Sequence, residues 1–552
     1  MTLHPRDWSL IPEMTVSVAR TSFPKGNPYM KMRDELGVLY LDTDFVTLFR
    51  ADCGQSALSP GQLALVTVMQ FAEGLTDRQA AEAVRSRIDW KYALGLEITD
   101  SGFDYSVLSE WRSRLIVAGR ESQLLDRMLL HFQDKGWLKA RGQARTDSTH
   151  VIGAIRKMNR LECVGETLRH ALNQLATVAD EWLLTVVNPD WSTRYATRFE
   201  QYRLPKSQTE KHSLALTIGV DGHQLLSALY DPLSPAWLRQ LKAVEILRCV
   251  WIQQYELRSG QVYWRADEHL PPHKQLIVSP YDIEARNRTK RDLNWTGYIV
   301  HLTETCDVDA PHLITNVETT PATTGDVEMT QVIHQSLAEQ HLLPQAHIVD
   351  TAYVDAQHLL TSQSEFDIEL LGPVPPDSSW QKKAQEGFEL SSFMIDWEHH
   401  HVTCPQGHIS QSWHPRSDKY GNPVIQVRFR RPDCTNCPLR SQCTHSPTSA
   451  RVLTLKPQVL YEALASGRAR QNTKEFKERY ALRAGIESSI SQGTRVFGLR
   501  DARYMGLAKT RLQHLMIAAA MNLSRMWAFW RNIPIGKTRV SSFAALFASG
   551  SS

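Results

Sequence analysis

The apolar positions change period along the chain. From Ser59-Pro60 onward, Leu63, Val66, Val68, Met69 and Phe71 lie on a helical pattern, behind a capping serine and a proline at the first helical position. Thr76-Asp77 starts a second helix, running through residues 78–86. Residues 105–118 form a third, with Leu108, Trp111 and Leu115 on one stripe and Arg112 and Arg114 beside it. Ahead of these, residues 1–45 read as an irregular arm with a short strand at 38–41. Short helices with basic faces and short turns suit a helix-turn-helix DNA reader, and equally an ordinary bundle that only packs.

The period then switches. Residues 145–155 (Arg-Thr-Asp-Ser-Thr-His-Val-Ile-Gly-Ala-Ile) read as a strand. A helical segment follows at 158–185, then a more irregular stretch to 202 and further helix around 237–257. Runs at 294–304 and 312–319, parted by a polar break, predict a hairpin. Residues 328–341 carry helical periodicity, 347–354 a strand that ends on Asp350, and 367–373 another short strand. Pro-, Gly- and His-rich polar segments fill 374–460. A long basic helical region spans about 457–530, broken near Gly493–Gly498, and a tail closes the chain. This order predicts an α/β fold: a mixed sheet of the ribonuclease-H type, split by insertions.

The domains expected are an arm (1–45), a helical DNA-binding domain (46–140), a first part of the core (141–373) with a helical insertion at about 157–262, an insertion with a cysteine cluster (374–460), a last part of the core with basic helices (461–530), and a tail (531–552).

Charge sharpens this picture locally. The whole chain is nearly balanced, 62 Lys+Arg against 59 Asp+Glu, yet 451–540 holds 17 Lys/Arg and 5 Asp/Glu. A one-signed stretch on an otherwise acidic chain favours a phosphate-binding surface over a merely solvated helix face. No signal pattern stands in the first 23 residues, and no uncharged apolar run is long enough to span a bilayer. The reading is therefore a cytoplasmic, nucleoid-associated protein with no membrane contact. Of eight cysteines, Cys404, Cys434, Cys437 and Cys443 cluster. Cys434-x₂-Cys437 has metal-knuckle spacing, so a tetrahedral structural Zn²⁺ site is expected, with His401, His408 or His445 able to replace a thiolate. The bland reading is four free thiols.

Asp147 and Asp350 each interrupt an apolar strand pattern, where a carboxylate is costly unless it is paired or binds a cation. Glu487 sits in a helical pattern, Tyr480-Ala-Leu-Arg-Ala-Gly-Ile-Glu-Ser-Ser-Ile. Three carboxylates from separate elements can hold two divalent cations for in-line phosphate displacement, and hard oxygen donors suit Mg²⁺ or Mn²⁺. Asp326 and Asp355 are spare acids near the same strands.

Tyr480-x₂-Arg483-x₃-Glu487 matches the Y-R-E signature of bacterial insertion-sequence DDE transposases. Ser279-Pro-Tyr-Asp-Ile-Glu-Ala-Arg286, the run 295–306, Ile348-Val-Asp-Thr-Ala-Tyr-Val-Asp355 and the run 498–509 resemble the insertion-sequence family numbered eleven eighty-two. The resemblance covers roughly residues 30–530. It implies Asp147, Asp350 and Glu487 as first, second and third catalytic acids, with Tyr480 and Arg483 before Glu487 on its helix. The wider signature has a lysine seven residues past the glutamate. Thr494 stands there, with Arg495 next to it and Lys509 on the following helix as substitutes. Arg500, Arg503 and Lys509 are expected on phosphates. The resemblance further implies a ribonuclease-H-like core, terminal inverted repeats bound by the helical region, strand transfer into target DNA, and a homodimer in the synaptic complex.

Rival readings are a nuclease or resolvase of the same fold that cleaves without joining, and a non-catalytic DNA-binding repressor derived from a transposase. A zinc-structured scaffold with no DNA role sits poorly with the basic stretch. Trp295, Tyr298 and His301 read as packing residues on a strand. Asp282 and Glu284, ahead of basic residues 286–291, read as a solvated turn, with a loop near the active site as the alternative.

Overall fold

The computed structural model describes residues 2–50, 56–376, 379–446 and 448–533. Most of the tail expected at 531–552 lies outside the described residues. The chain divides into two compact units: residues 1–139, 148–324 and 487–552 form the first, and 140–147 and 325–486 the second.

In the first unit the three expected helices are present at Pro60–Ala72, Asp77–Ser86 and Ser106–Val117. Ser59 caps the first through Gln62 N–H, and Thr76 with Gln79 forms a capping box on the second. The supposed arm differs from expectation. Its strand at 38–41 is absent; helices Glu13–Ser22 and Pro28–Leu36 precede an irregular stretch in which Leu39 and Tyr40 are buried. Asn27 and Pro28 supply the start of the second of these helices, with Asn27 accepting from Tyr29 N–H. Helix Leu507–Trp530 runs through the core, against helices Pro60–Ala72 and Gln123–Asp134.

Strand β1 (Gln143–Ile152) begins in the second unit and ends in the first. The hairpin β2 (Tyr255–Arg258) and β3 (Gln261–Trp264) is antiparallel. Antiparallel β4 (Arg286–Lys290), β5 (Leu293–Thr305) and β6 (Ile314–Pro321) follow, with β5 paired to both neighbours. The β5–β6 hairpin is the one expected from the apolar runs, and Trp295, Tyr298 and His301 on β5 are all buried. Asn522, buried on the long helix, accepts from Ile314 N–H (2.7 Å) and donates to Ile314 C=O (2.9 Å), fixing that helix to β6.

A separate hydrophobic core lies among residues 161–277. Helices Arg160–Val178, Gln208–Leu229 and Lys242–Gln254 bury Val164, Leu168, Ile218, Leu225, Leu247 and Val250. Asp282 is no solvated turn. It accepts from Tyr298 O–H (2.7 Å) and Gly506 N–H (3.0 Å), while Glu284 accepts from Leu507 N–H (2.8 Å), so the pair anchors the start of the long helix.

In the second unit β1 pairs in parallel with β7 (Ala346–Ile348), and β7 with β8 (Glu369–Leu371). Helices Thr330–Glu339 and Ala356–Phe366 flank them. Beyond lie β9 (Met394–Asp396) with β10 (His401–Thr403), and β11 (Ser412–Ser417) with β12 (Pro423–Arg428) and β13 (Val452–Leu455). Helices Gln458–Arg470 and Lys474–Tyr480 lead into Ala484–Phe497, which passes into the first unit at Glu487. The fold is thus mixed α/β, with a helical N-terminal region and both parallel and antiparallel strand pairing.

Candidate active site

Asp147 and Asp350 come together because their strands are in register. Ala144 pairs with His347 and Arg145 with Ile348; continued two residues, the ladder sets Asp147 opposite Asp350. Parallel neighbours stand ~4.8 Å apart, so Asp147, inside β1, lies beside the segment that leaves the end of β7. The strand expected over 347–354 ends early, at Ile348, because Asp350 turns outward as the cap of a short 3₁₀ turn, Thr351–Tyr353. Its Oδ1 accepts from Ala352 N–H at 2.8 Å.

Arg483 closes the pair. Its Nη2 lies 2.8 Å from Asp147 Oδ2 and 3.9 Å from Asp350 Oδ2. These side chains are 16%, 35% and 17% exposed for Asp147, Asp350 and Arg483, so the cluster is open enough to meet a ligand yet sheltered enough for charge to matter. Two like charges this close need a cation between them, and the guanidinium is one. Glu487 follows Arg483 by four residues on Ala484–Phe497, with its side chain exposed. Tyr480 stacks on Phe476, centroids 5.6 Å apart at 14°.

Two supports were not foreseen. Arg145, buried on β1, donates through Nη1 to Leu482 C=O at 2.5 Å, and its guanidinium lies where a Cβ on Gly485 would stand. The sequence signal was an arginine inside a strand two residues before Asp147. Behind the strands, Thr146 Oγ1 meets His347 Nε2 at 2.6 Å, and His347 Nδ1 meets His334 Nε2 at 2.8 Å. Burial, and then the charge of His358, pushes His334 down to about 4. Burial, and then His334, holds His347 well below the ordinary imidazole range.

The spare acids are engaged elsewhere. Asp355 caps helix Ala356–Phe366 and bonds His358 Nδ1 at 2.8 Å; burial raises its pKa, but the His358 bonds hold it below the usual carboxylate range. Asp326 is buried in a 3₁₀ turn, Asp326–Met329.

The basic residues of the first unit divide. Arg495 and Lys509 are exposed. Arg500 Nε donates to Thr149 Oγ1 at 2.8 Å. Arg503 donates to Leu75 C=O at 3.2 Å and lies 5.0 Å over the Phe71 ring. Arg112, read as part of a basic helix face, is buried in a bidentate pair with Asp77 (2.9 and 2.6 Å) and faces no solvent. Its partner explains the error: Asp77 lies on the second helix, and no local period reveals the pairing.

Cys404, Cys434, Cys437 and Cys443 line one cavity of about 30 Å³. As placed, no three His, Cys, Asp or Glu side chains form a ready ligand set among the described residues. No helix there is long and apolar enough to cross a membrane.

No curated protein matches the chain. Residues 17–114 match the family described as Transposase domain (DUF772), and residues 403–527 match the family described as Transposase DDE domain. The second segment includes Tyr480, Arg483 and Glu487 but neither Asp147 nor Asp350. Together the two matches indicate a transposase of the DDE type.

Proposed function

We propose that the chain cleaves DNA at the ends of its element and joins the freed 3′-hydroxyl to target DNA, with Asp147, Asp350 and Glu487 as the catalytic acids. The observation that carries this reading is the in-register placement of Asp147 and Asp350 beside one guanidinium. Carboxylate oxygens from β1 and from the turn after β7, already drawn toward a positive charge, fit hard divalent cations such as Mg²⁺ or Mn²⁺. When bound, such ions lower the pKa of an attacking water or 3′-hydroxyl and stabilise the leaving oxygen.

The chain's own residues divide the remaining work. Asp147 and Asp350 orient the ions from the strands, and Glu487 adds a third carboxylate from its helix. Arg483 exchanges its carboxylate partners for the scissile phosphate, which a guanidinium can grip with two N–H groups. Tyr480 stands not on the Glu487 helix, as expected, but at the end of the preceding helix Lys474–Tyr480, stacked on Phe476, from where it would face the DNA. Arg495 and Lys509 contact flanking phosphates, Arg500 and Arg503 contributing as their protein bonds allow. The helical N-terminal region binds the terminal inverted repeats, and two copies synapse the two ends. The ribonuclease-H likeness of the core and the insertion-sequence family numbered eleven eighty-two belong to this same reading.

The test is a Mg²⁺-dependent cleavage and strand-transfer assay on linear DNA bearing the element ends. Asp147→Ala, Asp350→Ala and Glu487→Ala should each lose both steps and keep DNA binding, while Asp355→Ala stays active. Full activity in any of the three acid variants overturns that assignment. Cleavage without joining makes the chain a nuclease, and binding without metal-dependent cleavage a repressor.

A further inference from the structure

Residues 393–455 hold five short strands but, among the described residues, only a small buried core: Phe393, Val402, Val427, Phe429, Leu453 and Leu455. A core of this size seldom holds a fold unaided, and small modules usually add a disulfide or a metal. The four cysteines of this region are not disulfide-bonded. They share one cavity, and Cys404, Cys434 and Cys443 pack directly on the core.

We propose that Cys404, Cys434, Cys437 and Cys443 bind one structural zinc ion that completes this module. The claim rests on the cysteines alone and stands whether or not the chain transposes DNA. Each thiol is presented by a tight turn or a helix end. Gly407 N–H donates to Cys404 C=O at 2.8 Å and Cys404 N–H to His408 C=O at 2.9 Å, with Gly407 at φ +82°, a conformation glycine adopts freely. Cys434 lies in the short helix Arg431–Thr435, and Cys437 follows in a turn whose carbonyl accepts from Arg440 N–H at 3.2 Å. Cys443 closes the helix Arg440–Cys443. As placed the thiols are not gathered as ligands, so a bound ion would have to draw them together across the cavity they share.

The charge balance favours the same occupant. Four thiolates around Zn²⁺ leave two formal negative charges. Two guanidiniums line the cavity and are fixed there: Arg440 Nη1 donates to Cys434 C=O and Arg451 Nη1 to Cys443 C=O, both at 2.7 Å. His408 lines the cavity too, but it is nearly half exposed and leans toward Asp433 at 4.0 Å, so it serves the rim.

Metal analysis of the full chain, purified without chelator from zinc-supplemented medium, tests this. About one zinc per chain is expected, released by a mercurial that caps thiols. Co²⁺ exchanged into the same protein should give the near-ultraviolet thiolate charge-transfer band and the strong visible bands of a tetrahedral thiolate site. The pair Cys434→Ser and Cys437→Ser should lose the metal, whereas Cys249→Ser and His408→Ala keep it. The proposal is overturned if the unaltered chain carries less than a fifth of an equivalent and shows no Co²⁺–thiolate band, if the cysteine pair variant keeps its zinc, or if His408→Ala loses it. The wild-type measurements decide the matter even if the pair variant does not fold.

Discussion

Asp147 on β1 and Asp350, just past the end of β7, share the guanidinium of Arg483, 2.8 Å from the first and 3.9 Å from the second. Arg483 therefore steadies a pair of like charges that would repel without it. Replacing it by Gln removes a charge-assisted bond, of the kind that contributes about 1.5–3 kcal/mol, and leaves the repulsion. Arg483→Gln should lower the melting temperature in metal-free buffer, and millimolar Mg²⁺ or Mn²⁺ should restore part of the loss. Thermal unfolding with and without the ions checks this. An unchanged melting temperature, or a loss that the ions leave untouched, would mean that the two acids do not act as one cation-binding pair.

Gly485 lies against the buried guanidinium of Arg145, which is tied to Leu482 C=O and cannot swing freely away. A methyl group there must displace Arg145 or shift the helix. Gly485→Ala should destabilise the protein by about 1–3 kcal/mol, the usual range for overpacking, despite alanine's better helix propensity. Urea unfolding midpoints measure it. A stabilised variant would mean that the helix start has room to move.

Local pattern exposed some of this site and hid the rest. Helix 106–117 was legible because it buries one stripe, Leu108, Trp111 and Leu115; helix 60–72, buried almost all round, was marked by its Ser59-Pro60 start, and the β5–β6 hairpin by two apolar runs parted by a polar break. Helix Gln208–Leu229 was not, because Gly219 and Gly222 interrupt its apolar stripe. They are there so that the rings of Tyr255 and Trp251 can press against the helix backbone, a demand set by distant residues. β4 escaped notice because Arg286–Lys290 is polar throughout and gains its order by pairing with β5. Asp147 and Asp350 could be singled out as carboxylates inside apolar runs. Their shared register could not, since it depends on a ladder joining positions two hundred residues apart.

Arg495, Lys509 and Arg503 are all exposed, but the Arg503 guanidinium already bonds Leu75 C=O and covers Phe71. On the proposed reading, only the first two are unencumbered phosphate contacts. Reversing both, with Arg495→Glu and Lys509→Glu, should weaken binding to element-end DNA and to unrelated DNA alike. It should also reduce the slope of log affinity against log salt by about 2. Arg503→Ala should instead show most of its effect in stability. Fluorescence anisotropy across a salt series separates these outcomes. An unchanged slope in the double variant removes both residues from the DNA surface.

His334 and His347 are buried, hydrogen-bonded to each other and neutral. In the unfolded chain each takes up a proton near pH 6.5, whereas in the folded protein His334 does so only near 4 and His347 lower still. Between those limits the unfolded state binds more protons. Stability is therefore fully present above pH 6.5 and falls as the pH drops toward 4, by about 1.4 kcal/mol per pH unit for each such histidine. Carboxylates add little to this slope above pH 5, so the window from 6.5 to 5 isolates the imidazoles. His334→Gln, which cannot be protonated, should cost stability at pH 7.5 through the lost bond to His347, yet lose less on acidification than the unaltered chain. Urea midpoints at pH 7.5, 6.0 and 5.0 give both slopes. Equal slopes would show that His334 takes up its proton in the folded protein as readily as in the unfolded one, and that the layer behind the Asp147 strand is open to water.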